Sequence, residues 1–250
     1  MNEMIENILK ELEKQEQIQI LFACESGSRA WNLHEKNSDY DVRFIYKHAK
    51  DWYLQLYDGR DVIENNSFNK FEFVGWDLKK ALRLLNKSNP TLLEWLSSPI
   101  VYRNEPIFTK EIKAFAQKTF SPYSVLHHYL SMAKKNYSRL KQAESCTAKM
   151  YLTVLKPLHI CDWIIENDEF PLIGLHIFRK GHPSTIIQDE IQRVIQHKQA
   201  GHNYLSDTLC QYIESSLRTL EDHVKKSRNN NSNQTKSLTD FFIKTINELK

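Results

Sequence analysis

The sequence predicts an α+β fold: a strand-and-helix segment over residues 1–104, then a mostly helical segment over 105–250. Three observations predict it. Apolar runs of strand length occur only in the first segment. Helical periodicities follow one another through the second. Glycine, at six of 250 residues, leaves few positions for tight turns and favours helix.

The elements follow in chain order. Met4, Ile5, Ile8, Leu9 and Leu12 recur at helical spacing, which predicts an amphipathic helix over 2–15. Ile18 and the run Ile20 to Cys24 predict a buried strand that ends at the Gly27 turn. The β-branched and aromatic stretch DYDVRFIYK, 39–47, predicts a second strand. Residues 51–73 carry the weakest pattern, but FNKFEFV, 68–74, alternates apolar with polar and predicts a third. Asp77 is placed as the N-cap of a helix over DLKKALRLLNK. Pro90 interrupts that pattern and TLLEWL, 91–96, resumes it; IVY, 100–102, predicts a fourth strand. Helical patterns then occupy 109–119, 122–144, 147–167, 184–198, 205–226 and 237–249, and Pro157 should kink or break its helix. The polar, Asn-rich SRNNNSNQTK, 227–236, predicts a mobile loop.

Composition narrows the function classes. Hydrophobic residues make up 41% and aromatic residues 11% of the chain, an ordinary globular balance. No apolar run approaches the roughly 18 residues of a membrane helix, and the acidic amphipathic N-terminus does not read as a secretory signal. Cys24, Cys146, Cys161 and Cys210 are scattered without C-x-x-C spacing, and the ten histidines form no zinc-like cluster. Together these predict a reduced, cytoplasmic protein. A net charge of +3 permits a polyanionic partner without demanding one.

One stretch carries chemistry: ESGSRAWNLHEKNSDYDVRF, 25–44. Alternate strand residues face the same way, so Asp39 and Asp41 share a side, about 6.6 Å apart along the strand. Two such carboxylates repel unless a positive charge lies between them. Arg43, on the same face, is one neutraliser; Mg²⁺, which favours carboxylate and phosphate oxygens, is the other. Gly27 lets a ligand approach the backbone closely, and turn N–H groups with the Ser28 hydroxyl suit phosphate oxygens. Arg29 adds a further phosphate partner.

This ordered pattern, a strand, Gly-Ser, ten residues, Asp-x-Asp and a strand, resembles the DNA polymerase β-like nucleotidyltransferase superfamily. SGSRAWNL, SDYDVRFIY, GWDLKKALRLL, KSNPTLLEWLSSPIVY and YLTVLKPLHICDWI resemble one subgroup, the predicted nucleotidyltransferases associated with RNA repair and typified by a Bacillus protein. The resemblance spans roughly 18–170 and is most specific before residue 105. It implies a small mixed sheet with flanking helices and two Mg²⁺ ions on three carboxylates. Asp39 and Asp41 match the first two acids. The third should come from the neighbouring strand, where Glu72 is favoured over Asp77, whose capping role already explains it. The family usually carries aspartate there, so glutamate is a departure.

The implied reaction moves a nucleoside monophosphate from a triphosphate such as ATP to a hydroxyl, with release of pyrophosphate. Gly27, Ser28 and Arg29 would meet the phosphates. Lys149 and Lys156, seven residues apart on one helix near Tyr151, would supply further nucleotide contacts. The acceptor could be an RNA end, a protein hydroxyl, as in antitoxin-like enzymes that AMPylate a partner, or a small molecule. The competing class is a catalytically weak nucleotide- or RNA-binding module. The basic stretch AKKNYSRLK, 133–141, reads as an RNA contact or as a solvated charged stripe.

Overall fold

The computed structural model describes residues 2–66, 70–178, 184–228 and 234–248. Its elements are α1 Asn2–Glu16, β1 Ile18–Glu25, the single turn α2 Gly27–Ala30, β2 Tyr40–His48, β3 Val62–Asn65, β4 Phe71–Asp77, α3 Leu78–Leu85, α4 Pro90–Leu96 and β5 Val101–Asn104. The helices α5 Pro106–Thr119, α6 Pro122–Gln142, α7 Ala148–Asn167, α8 Thr185–Ala200, α9 Asp207–Lys226 and α10 Thr235–Glu248 follow. The chain is α+β, as its sequence predicts.

By contact the chain divides into two units: Met1–Ala30, Asp39–Phe120 and Asn231–Lys250 in one; Trp31–Ser38 and Ser121–Asn230 in the other. This division differs from a single boundary near residue 105. Helices α5 and α10 join the sheet because Phe108, Ile112, Leu238 and Phe241 pack into a core with Leu21, Phe22 and Ile45.

The sheet is mixed, in the order β3-β4-β2-β1-β5. β1 pairs antiparallel with β2 and β5, β4 antiparallel with β3, and β2 lies parallel to β4. Both faces are buried. On one, Ile5, Ile8, Leu9 and Leu12 of α1 meet Val42, Phe44, Tyr46 and Phe73. On the other, Leu78, Leu82, Leu92 and Trp95 of α3 and α4 meet Leu21, Cys24 and Ile45. Burial on both faces explains why β1 reads as a continuous apolar run rather than an alternating one. A register shift between Ile20 and Phe22 adds a residue to β1, so Leu21 and Phe22 both pack on the α3–α4 side.

Most expected elements are present. β3 is the strand that the weak 51–73 pattern did not yield. The expected third strand begins at Phe71 rather than 68; Phe68 and Asn69 lie outside the described residues, as do 229–233 of the expected mobile loop. Pro90 opens α4 instead of interrupting a helix, with Asn89 as N-cap accepting from the Leu92 N–H at 3.1 Å. Pro157 does not break its helix, which runs through it from Ala148 to Asn167. Proline deprives the Thr153 carbonyl of its usual donor, and the Asn136 side-chain amide of α6 donates to that carbonyl at 2.9 Å.

The β2–β4 contact is close at Gly75, where an added Cβ would fall 2.1 Å from the buried Phe44 ring. Gly75→Ala should therefore cost about 1–3 kcal/mol through overpacking. A urea titration of variant and parent checks this: the midpoint should fall with an unchanged slope.

Candidate active site

The site forms at the start of β2 and β4, on the sheet face whose far end is covered by α3 and α4. Asp41, Arg43 and Ile45 point to that face, as do Glu72, Val74 and Trp76. Ile45 and Trp76 belong to the α3–α4 core, whereas the side chains of Asp41 and Glu72 remain 26% and 46% exposed. The carboxylates thus sit where helical cover ends.

The parallel register pairs Asp41 directly with Glu72. Arg43 bridges them: its Nη2 lies 3.3 Å from Asp41 Oδ1 and 3.0 Å from Glu72 Oε1. Its Nη1 donates to the Glu72 carbonyl at 3.4 Å. Arg43, one of the two neutralisers the sequence allows, thus lies between the acids. Among the described residues no three His, Cys, Asp or Glu side chains gather closely enough to hold a metal ion. Two adjacent carboxylates still match the oxygen chemistry that Mg²⁺ prefers; the third ligand is not assembled beside them.

Gly27 closes the other side of Asp41. It adopts φ +56°, and an added Cβ would fall 2.0 Å from Asp41 Oδ2. Glycine is needed here for its backbone angle and for the missing side chain. The Ser26 N–H donates to the Asp41 carbonyl at 2.8 Å, which ties the turn to the start of β2. Ser28 is half-buried within α2. Arg29 donates through Nε to the Asp39 carbonyl at 3.0 Å, with its guanidinium 3.7 Å from the Tyr40 ring centre. Asp39 is exposed and lies one residue before β2. The strand that the sequence places over both aspartates therefore begins between them.

Sequence reasoning passed over one acid, Glu25, at the end of β1. It is fully buried. One carboxylate oxygen accepts from the Asp41 N–H at 2.8 Å and the other from the Tyr102 hydroxyl. Burial first, and then the charge of Asp41, push its pKa above the ordinary glutamate range, although both hydrogen bonds pull the other way. An acid ending an apolar strand just before Ser-Gly was the available signal; its partner Tyr102 stands 77 residues away.

Asp77 is not a companion of these acids. It pairs in register with Tyr46, five residues beyond Glu72 and on the opposite face by strand parity. Its carboxylate caps α3, accepting from the Lys79 N–H at 2.8 Å, and accepts from the Tyr53 hydroxyl at 2.7 Å. Burial raises its pKa. The alternative third acid thus has a structural role, which leaves Glu72 beside Asp41.

The two expected lysines belong to the helical unit. Lys149 is exposed on α7, and Lys156 stands 4.9 Å over the Trp31 ring. Trp31 is buried, in line with a core role. Tyr151, expected near the lysines as a base contact, is instead fully buried, with its hydroxyl against Ser206 and Cys210. The basic stretch on α6 is partly neutralised by α9: Lys134 pairs with Glu221 at 2.9 Å and Lys141 with Glu214 at 3.3 Å.

Comparison with known proteins identifies the family of the chain. The chain is similar to the uncharacterized protein YcgL of Bacillus subtilis (strain 168), with 32% identity over 256 residues, covering 100% of this chain and 98% of that one. A nucleotidyltransferase-like protein from Exiguobacterium sibiricum 255-15 shares 14% identity at a TM-score of 0.32, over 90% of this chain and 74% of the other. Among the described residues no helix is long and apolar enough to cross a membrane. A profile of the RNA repair pathway DNA polymerase beta family (RlaP) matches residues 1–244, and the chain belongs to that family.

Proposed function

We propose that this protein is a Mg²⁺-dependent nucleotidyltransferase that moves a nucleoside monophosphate from a triphosphate to a hydroxyl. One contact set carries this reading: Asp41 and Glu72 side by side across parallel strands, with the bare Cα of Gly27 against Asp41. Asp41 and Glu72 are the pair that would hold Mg²⁺, and Asp39, exposed one residue before β2, would have to turn towards them to complete a set for two ions. Bound Mg²⁺ supplies charge for the phosphates and acidifies the acceptor hydroxyl.

The chain's own residues orient the reactants. Gly27 and Ser28 offer backbone N–H groups to the β- and γ-phosphates, which approach closely because Gly27 has no side chain. Arg29, anchored by the Asp39 carbonyl and the Tyr40 ring, adds positive charge at the turn. Lys149 and Lys156 are further candidates for phosphate or base contact. The acceptor oxygen attacks the α-phosphorus, the bond to pyrophosphate breaks, and the hydroxyl proton leaves to water. Positioning and fixed charge supply the rate. The family's tie to RNA repair makes an RNA end the favoured acceptor, with a protein hydroxyl as the AMPylating variant.

Arg43 favours a second reading. A guanidinium bridging Asp41 and Glu72 satisfies both without a metal, as a catalytically weak nucleotide- or RNA-binding module would require. Incubation with α-labelled triphosphates and total RNA or protein separates the two. Transfer of label with release of pyrophosphate is expected. Binding of the triphosphate without transfer to any acceptor would support the module.

Asp41→Ala should lower transfer at least about a hundredfold with an unchanged circular dichroism spectrum; a rate near the parent's would remove the site. Arg43→Ala tests the metal without reading activity. The variant should lose thermal stability in EDTA, where Asp41 and Glu72 repel, and regain more of it than the parent does in millimolar MgCl₂. Equal responses of the two proteins would argue against Mg²⁺ at these acids.

Glu25 sets a pH dependence. Its folded pKa lies above the unfolded value, so its favourable contribution is full below the unfolded pKa and disappears as pH rises through the folded one. The stability of the parent relative to Glu25→Gln should therefore be highest in acid and fall towards neutrality. Denaturation of both proteins across that range measures the difference, and a flat difference would show that Glu25 ionises as freely folded as unfolded.

A further inference from the structure

On the α1 face of the sheet, at the end of β2 remote from Asp41, lies a cavity of about 460 Å³. Tyr46 and His48 of β2, Ile63 of β3 and Trp52 from the segment after β2 line it, and Arg60 and Glu16 stand exposed at its rim. Tyr46 is fully buried, and its hydroxyl has no hydrogen-bond partner among the described residues. The Nε2 atom of His48 is likewise buried and unpartnered. Residues 46 and 48 face the same side of the strand. Buried polar groups without partners are rare in folded proteins, and here two of them belong to one cavity.

The chemistry of these two groups narrows what would pair with them. Burial lowers the His48 pKa, which keeps the imidazole neutral, and the phenol is neutral as well. The inner end of the cavity thus offers hydrogen bonds and no charge. A phosphate, carboxylate or ammonium placed there would be desolvated without a counter-ion. One water molecule could bridge the two atoms, but its share of volume, about 30 Å³, fills little of the space. A sugar would bring more hydroxyls than two groups can satisfy. The stacked rings of His48 and Trp52, 3.9 Å apart at 12°, give one flat wall, and Ile63 adds apolar surface. A neutral planar ring with apolar faces and adjacent hydrogen-bonding atoms on one edge meets each of these conditions.

We propose that this cavity binds a nucleobase, whose edge pairs with the Tyr46 hydroxyl and His48 Nε2. Tyr46 lies five residues beyond Asp41, about 16 Å along the strand and on the opposite face. The site is therefore separate from the acid pair and does not depend on the nucleotidyl-transfer reading. Free nucleosides and the bases of an RNA strand share the chemistry required.

Isothermal titration calorimetry of the full-length protein in EDTA tests the proposal, with adenosine, guanosine, cytidine and uridine as probes and ribose as the comparison. Saturable binding of at least one nucleoside at one site per chain is expected, without binding of ribose. Tyr46→Phe removes only the hydroxyl, and His48→Phe keeps a ring against Trp52; each should weaken binding about tenfold. Asp41→Ala should leave it unchanged. Because the hydroxyl is unpaired in the free protein, Tyr46→Phe should melt without ligand at the parent's temperature or above it. A four-nucleotide RNA of the preferred base separates the sources: tighter, Tyr46-dependent binding than the nucleoside's marks an RNA strand, and equal or weaker binding marks a free nucleoside. No saturable nucleoside binding, ribose binding as well as the nucleosides, or binding that depends on Asp41 and not on Tyr46 would overturn the proposal. So would a marked loss of thermal stability in Tyr46→Phe, which would show that the hydroxyl already has a partner.

Discussion

The parallel pairing of β2 with β4 is the constraint on which the candidate site depends. It sets Asp41 beside Glu72, two carboxylates on one face at adjacent-strand spacing, roughly 4.8 Å between chains. Such a pair needs a cation. Arg43, two residues along β2 and hence on the same face, supplies one. Every other feature of the site accommodates that charge cluster. Gly27 yields space to Asp41, and Glu25 fixes the Asp41 backbone from the buried side. The helical cover of the sheet ends before the acids, so that they keep water.

The two acids of β4 show how strand parity separates structure from chemistry. Glu72 and Asp77 are five residues apart, an odd number, so they leave the sheet on opposite faces. Glu72 emerges beside Asp41, half-open to solvent. Asp77 is buried, ends the strand, and uses its carboxylate on the first turn of α3 and on Tyr53. A capping aspartate contributes about 1 kcal/mol to a helix, enough to account for the residue without any catalytic role. Glutamate is one methylene longer than aspartate, and at position 72 the side chain reaches Arg43 at 3.0 Å.

Much of this was legible in the sequence because local patterns encode it. The helix α1, the strands β1 and β2, the cap at Asp77 and the succession of helices after residue 105 each follow from spacing and end signals within a few residues. What was missed depends on distant partners. β3 carries only four residues, Val62–Asn65, and is a strand because it pairs with Val74 and Trp76. Placement of α10 with the sheet rests on Leu238 and Phe241 meeting α5, a contact across more than a hundred residues that no local pattern announces. In the site, Gly27, Asp41 and Glu72 were readable from motif and alternation. Glu25 was not, because its role depends on Tyr102 from β5. Nor was the state of Pro157, since the Thr153 carbonyl it strands is met by Asn136 on another helix.

Arg43 makes the counter-charge of the acid pair part of the fold itself. A carboxylate cluster that relied wholly on divalent ions would repel itself whenever those ions were absent, and the strands carrying it would lose stability. Here the guanidinium balances Asp41 and Glu72 within the fold, at modest cost because all three groups keep some contact with water. Arginine suits that task better than lysine, since its planar fork reaches both carboxylates and a backbone carbonyl at once. Under the proposed Mg²⁺-dependent reading, a divalent ion would compete with Arg43 for oxygens that are already gathered, and phosphates would offer the guanidinium an alternative anionic partner. What the fold itself fixes is the position of that charge, between Asp41 and Glu72 at the open end of the sheet.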